Sequence, residues 1–316
     1  MGFTEILIIT LASLVFLFII FLYIIYDKVF LMTKRRKHKT LQFDVPFGSK
    51  EHKEIVLKNT EILKEKKHND VYVRSFDGKV LHGYYYHVSD NSPLEIAFHG
   101  YKGQAFRDFS GGALMALEKG FNLLLVEERA HGASGGATIT FGIKERHDVL
   151  TWINFAKTNI RFNQRILLTG ISMGAATVLM ASNLDLGDSV KGIIADCPYS
   201  SPKEIILKVM KEMHLNPKIM SPFVMISAFL FGHFRINETT SVKAVKETKV
   251  PILIIHGEDD SFVPIEMSEE IARANSNVQF ERFGGADHGL SYLVDTNRYK
   301  EIVDDFTTNI MIEEDK

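Results

Sequence analysis

The sequence predicts an α/β domain, a mostly parallel sheet of eight strands with helices on both faces, preceded by one transmembrane helix. Three observations predict it. Residues 6–26 carry no charged side chain. Beyond Val71, short apolar segments alternate with helical stretches, the texture of a parallel sheet covered on both faces. An Asp77-Gly78 turn joins the first two of these segments and marks an antiparallel hairpin at the entrance to the domain. With 46% hydrophobic and 24% charged residues, the 316-residue chain has material for a large core and is neither disordered nor fibrous.

The first element is the apolar run. Its 21 residues, interrupted only by Thr10, Ser13 and two tyrosines, reach across the ~30 Å hydrocarbon core at 1.5 Å per residue. A cleavable signal peptide is disfavoured, because no basic n-region precedes Ile6 and no small-residue cleavage site follows. Lys28, Lys34, Arg35, Arg36, Lys37 and Lys39 follow the span and no Lys or Arg precedes it. The positive-inside rule then predicts a single-pass protein of the cell membrane, with its N-terminus outside and the rest of the chain in the cytoplasm. The cluster from Lys34 to Lys39 is also a candidate contact for anionic lipid. Residues 28–69, with twelve Lys and Arg against five Asp and Glu, read as a basic connector with one amphipathic helix near 51–66. The net charge of −2 argues against a nucleic-acid-coating role. One cysteine, Cys197, permits neither a disulfide framework nor a cysteine metal cluster; it reads as a packing residue.

Residues 70–316 form the predicted catalytic domain. Strands are expected at 71–76, 80–87, 94–98, 122–127, 165–170, 192–196, 250–255 and 278–283. Helices are expected near 107–119, 145–158, 173–182, 265–274 and 299–311. Residues 200–249 break the alternation with two apolar or amphipathic helical segments, 202–213 and 220–234, the second rich in Phe and Met. This insert is either packing on the sheet or a helical lid lining an acyl pocket.

In parallel sheets, chemistry collects beyond the carboxyl ends of the strands. Two Gly-x-Ser-x-Gly motifs occur, around Ser134 and Ser172. Such a serine acts as nucleophile only on a sharp strand-to-helix turn. Ser172 follows Ile166-Leu167-Leu168 and precedes a helical run that starts with small residues, whereas no helix starts at Ser134. Ser172 is therefore the expected nucleophile and Ser134 a loop residue. The base should follow in the order Ser, acid, His. His288, in Gly284-Gly285-Ala286-Asp287-His288-Gly289 after the last strand, fits best among twelve histidines. Between them Glu258, Asp259 and Asp260 follow a strand, and spacing leaves the orienting carboxylate open among the three. The oxyanion hole requires two backbone N–H groups, assigned to Met173, which opens the helix, and Tyr101, in His99-Gly100-Tyr101-Lys102-Gly103. Since Tyr101 would act through its backbone, loss of its hydroxyl has little route to the chemistry.

Over most of residues 70–312 the chain resembles the α/β-hydrolase superfamily, and within it a bacterial group of prolyl-oligopeptidase-like, membrane-anchored serine hydrolases. The likeness rests on His99-Gly100-Tyr101, Glu128-Arg129-Ala130-His131-Gly132 with Ser134, Glu145-Arg146-His147-Asp148, Gly170 to Gly174, Asp196-Cys197-Pro198-Tyr199, His256-Gly257 through Val263-Pro264, and Gly285 to His288. It implies an α/β-hydrolase fold and places the catalytic acid on Asp260. Ala130 stands where glycine is frequent, which implies a local backbone effect. Arg129 and Glu145-Arg146 look like scaffold ion pairs. The implied function is a Ser172-His288-Asp260 hydrolase working through an acyl-enzyme, with no metal or organic cofactor. Its expected substrates are lipophilic or small acyl esters; serine aminopeptidase, acyltransferase and non-catalytic binding module are the alternatives. Esters are preferred over peptides because no β-propeller precedes the domain.

Overall fold

A computed structural model describes residues 2–33, Arg36 and residues 48–312. The charge-free run lies in helix α1 (Phe3–Val29), long and apolar enough to cross a membrane. The lipid-binding expectation for Lys34, Arg35, Lys37 and Lys39 falls outside the described residues. Helix α2 (Lys50–Glu65) follows, its first turn capped by the Ser49 hydroxyl, which accepts from the His52 N–H.

All eight expected strands form one sheet: β1 (Asn69–Arg74), β2 (Val80–Tyr86), β3 (Leu94–Phe98), β4 (Asn122–Glu127), β5 (Ile166–Ile171), β6 (Val190–Asp196), β7 (Ile252–Gly257) and β8 (Val278–Phe283). Their order is β1-β2-β4-β3-β5-β6-β7-β8, with β1 and β2 antiparallel and β3 to β8 parallel. The reversal around β3 opens a crevice at the carboxyl ends of the central strands, where such sheets bind ligands.

The helices follow the expected alternation with local differences. The stretch near 107–119 is two short helices, α3 (Ala105–Asp108) and α4 (Gly112–Glu118), separated at Gly111-Gly112, because glycine is a poor helix interior residue. Then come α5 (Glu145–Asn159), α6 (Met173–Ala181), α7 (Pro202–Glu212), α8 (Pro217–Gly232), α9 (Ser241–Glu247), α10 (Ile265–Arg273), α11 (Ser291–Val294) and α12 (Thr296–Ile312). The insert thus holds a third helix, α9, too short to register as a periodic signal. Prolines open α7 and α8 at their first turns, where the missing N–H costs nothing.

Strand side chains alternate between two cores. Ile96, Phe98, Leu124, Leu168 and Ile193 face Trp152, Val178 and Ile271. On the other face, Ala97, Leu123, Leu167 and Ile194 meet Phe109, Ala116 and Phe306. A third cluster joins Phe30 and Met32 to Met173, Tyr199, Met210, Val224 and Val263. Part of the expected connector is therefore packed into the globular body: Phe30, Met32 and Leu63 are buried, and Met32 N–H donates to the Ala137 carbonyl at 2.7 Å.

Candidate active site

Ser172 sits on the turn between β5 and α6 with φ 54° and ψ −113°, a conformation L-residues rarely adopt. Flanking glycines make this turn possible. A Cβ on Gly170 would meet the Gly174 backbone, and one on Gly174 would meet the Phe98 carbonyl. The chain thus brings strand, helix start and β3 into close contact and lifts the Ser172 hydroxyl to the top of the sheet.

The structure brings the three expected side chains together. His288 Nε2 accepts from Ser172 Oγ at 2.9 Å, and His288 Nδ1 donates to Asp260 Oδ2 at 2.8 Å. The Asp260 Oδ1 atom accepts from the N–H groups of Phe262 and Val263 at 2.9 and 2.7 Å. Burial alone would raise the Asp260 carboxyl; hydrogen bonds from His256 and His288 and the Val263 N–H instead hold it well below the ordinary carboxylate range. Glu258 and Asp259 are exposed. His256, expected beyond its strand, is part of β7. Its Nε2 faces the Val263 carbonyl at 2.8 Å and its Nδ1 the Ser268 hydroxyl at 2.6 Å, so it braces the acid loop. Asp287 Oδ1 accepts from the N–H groups of His288 and Ser261, tying the histidine loop to the acid loop.

On the oxyanion side, Gly103 N–H donates to the Gly100 carbonyl at 2.9 Å, leaving Tyr101 at the bend. Two histidines of the expected motifs hold this loop. His99 donates through Nδ1 to the Gly100 carbonyl and accepts from the Glu128 N–H at Nε2, and burial lowers its pKa. His131 Nε2 accepts from the Lys102 N–H. Ser134, in a loop as expected, donates through Oγ to the Glu127 carbonyl and accepts from the His82 N–H.

Tyr101 also makes contacts that sequence reasoning missed. Its hydroxyl donates to the Val29 carbonyl at 2.8 Å, and its ring stacks on Phe141. The end of α1 is thus fastened beside the oxyanion loop. Tyr101→Phe is expected to lower stability by about 1 kcal/mol, the net worth of one hydrogen bond, with kcat changed less than about threefold. Thermal denaturation and kcat read these separately; a tenfold fall in kcat would show that the hydroxyl also positions the loop.

Other expectations need correction. Among the described residues Glu145 makes no ion pair: its carboxylate accepts from the N–H groups of Thr140 and Gly142, while Arg146 pairs with Glu238. Arg129 pairs as expected, with Asp148 and Asp77. Ala130 has φ 67°, the left-handed backbone behind the glycine usual there. Cys197 is buried, and its sulfur lies within 4.8 Å of the facing Asp260 and His288 atoms, closer to the site than a mere core residue. A cavity of about 440 Å³ opens at Ser172 and His288. Among the described residues, none of those lining this cavity comes from 200–249, so the Phe-rich insert does not wall it. Helix α8 instead packs on α1, with Phe223 against Phe18 and Phe21 and Phe231 against Tyr23 and Tyr26.

Comparison with known proteins places this geometry. The model of the prolyl oligopeptidase family matches residues 137–312. The uncharacterized protein YqkD of Bacillus subtilis (strain 168) is 26% identical over 196 residues, 61% of this chain and 64% of that protein, so the match spans less than two thirds of the relative. Among solved structures, the Pyrococcus furiosus esterase Pf2001 superposes with a TM-score of 0.64 at 25% identity, covering 77% of this chain and 91% of the esterase. Ferulic-acid-bound Est1E of Butyrivibrio proteoclasticus shares the fold, with a TM-score of 0.60 at 22% identity over 77% of this chain and all of that one.

Proposed function

The chain belongs to the prolyl oligopeptidase family of α/β-hydrolases and is a hydrolase, and from that premise we propose that it is a serine esterase acting on carboxylic esters. In this reading Ser172 attacks the ester carbonyl while His288 takes its proton. Asp260 fixes the histidine tautomer and offsets the charge of the imidazolium. The N–H groups of Tyr101 and Met173 receive the oxyanion, the latter aided by the positive end of α6. His288 then protonates the leaving alcohol, and water cleaves the acyl-enzyme by the same route. The observation that carries the reading is the continuous hydrogen-bonded chain from Ser172 Oγ through His288 to Asp260. Likeness to the Pyrococcus furiosus esterase supports ester over peptide substrates.

The proposal includes α1 as a retained single-pass anchor, with the hydrolase domain on the cytoplasmic side. Retention is supported by the contacts of its last turns: Leu22, Ile25 and Tyr26 are buried, and Tyr26 Oη lies 2.6 Å from Thr138 Oγ1. Protease added to intact cells is expected to spare the domain; digestion from outside overturns this topology.

The activity is tested on p-nitrophenyl esters of graded acyl length, with aminoacyl anilides alongside. Esters are expected to give the higher kcat/KM, and Ser172→Ala to remove their turnover. Faster cleavage of the anilides would contradict the esterase assignment.

A further inference from the structure

The cavity at Ser172 does not end at the reacting atoms. It continues inward along the sheet face that carries α4 and α12, and its inner wall includes Glu95, Thr169, Asp196 and Tyr299, with Met115 and Val303 closing the apolar side. Strand register gives the depth. Asp196 pairs with Ile171, next to the serine, and Glu95 pairs with Leu167, five residues before it. At about 3.3 Å per residue, the Glu95 backbone lies roughly 16 Å below Ser172 along β5.

Acidic side chains are unusual in such a place, and both residues are more than nine-tenths buried. Asp196 Oδ2 accepts from the Tyr299 hydroxyl at 3.0 Å, but Asp196 Oδ1 has no hydrogen-bond partner among the described residues. Glu95 has the Thr169 hydroxyl beside it. Lys119, the cation whose field reaches Glu95, is engaged by Asp304. At the mouth, Arg107 is bound to Asp108 at 2.7 Å. The inner chamber therefore offers carboxylate oxygen and no free cation of its own among the described residues. Burial pushes Glu95 up to about 7 and Asp196 up to about 6, the cost of charge without a counter-ion.

We propose that this inner chamber recognises a protonated amine carried on the acyl chain of the substrate, with Asp196 and Glu95 as its counter-ions. The inference rests on the serine esterase reading and deepens it. An ammonium group supplies hydrogen-bond donors and positive charge together, which is what two buried carboxyls of one chamber lack. The acyl part is the suitable occupant, because it stays bound to Ser172 until water arrives. The alcohol must leave past His288, toward the exposed Phe262 and Ser261.

The test compares p-nitrophenyl esters of one length, long enough to reach the Glu95 level: dodecanoyl, ω-hydroxydodecanoyl and ω-aminododecanoyl. The amino ester is expected to exceed the unsubstituted ester in kcat/KM by about tenfold, as one charge-assisted hydrogen bond allows. Glu95→Gln, which keeps shape and removes the charge, should shrink that ratio toward one. Equal or poorer turnover of the amino ester by wild type, or a preference for the hydroxy ester, overturns the inference while leaving the esterase reading intact. A binding measurement is independent of turnover and of how the variant folds. Hexylammonium is expected to raise the melting temperature of the wild-type protein where hexanol does not, and equal effects of the two overturn the proposal. Absence of all ester turnover with the hexylammonium shift still present would support the amine site and count against the esterase reading alone.

Discussion

Asp260→Asn is expected to lower kcat by about 10⁴-fold with the fold retained, a loss of the size that an orienting carboxylate commands. The geometry gives the reason. Asp260 Oδ1 is held by the N–H groups of Phe262 and Val263, so an asparagine would keep its carbonyl oxygen there and turn its NH₂ toward His288 Nδ1. That nitrogen would become the acceptor, the proton would move to Nε2, and Nε2 could no longer take the proton of Ser172. Asp259→Asn, on an exposed neighbour, should change kcat less than about threefold. Steady-state kinetics of the two variants decides the matter, and equal losses would remove the case for Asp260.

The second large effect is on stability. Arg129 forms a two-pronged contact with Asp148, Nε to Oδ2 at 2.6 Å and Nη2 to Oδ1 at 2.7 Å, with both side chains about 95% buried. Arg129→Met fills the space but strands Asp148, and such a change costs about 3–5 kcal/mol. Burial already pushes Asp148 up to about 6 against the pull of Arg129. Without the arginine it rises further above its unfolded value. An acid raised in the folded state contributes stability at low pH and loses it as pH rises through the folded pKa. The variant should therefore fall further below wild type at pH 8 than at pH 5.5, read by denaturant unfolding at both. A deficit independent of pH would mean that Asp148 is not the group left exposed.

Much of this architecture is written in local pattern. Apolar segments with turn residues between them specified the strands, most plainly β3 to β7, which are buried on both faces and read as nearly uninterrupted runs. Ser172 was legible because its two glycines serve steric needs that no other residue meets, and His288 because a loop after the last strand has one task. Asp260 was not separable from Glu258 and Asp259 by spacing, since all three follow the same strand; what distinguishes it is burial and the N–H groups of residues two and three positions later. Nor was the function of 200–249 legible. A Phe-rich helix suits a pocket wall and a partner helix equally, and α8 turned out to pack on α1. Glu95 and Asp196 were invisible for a further reason: a carboxylate inside a strand looks solvent-facing until the opposing helices are in place.

Whether Ser172 is an activated nucleophile is read by labelling with a fluorophosphonate probe. The probe reacts with a serine only when a base withdraws its proton and N–H donors receive the phosphonyl oxygen. Wild-type protein is expected to label at Ser172 and the Ser172→Ala variant not at all. An unlabelled wild type, or undiminished labelling of the variant, would contradict the account.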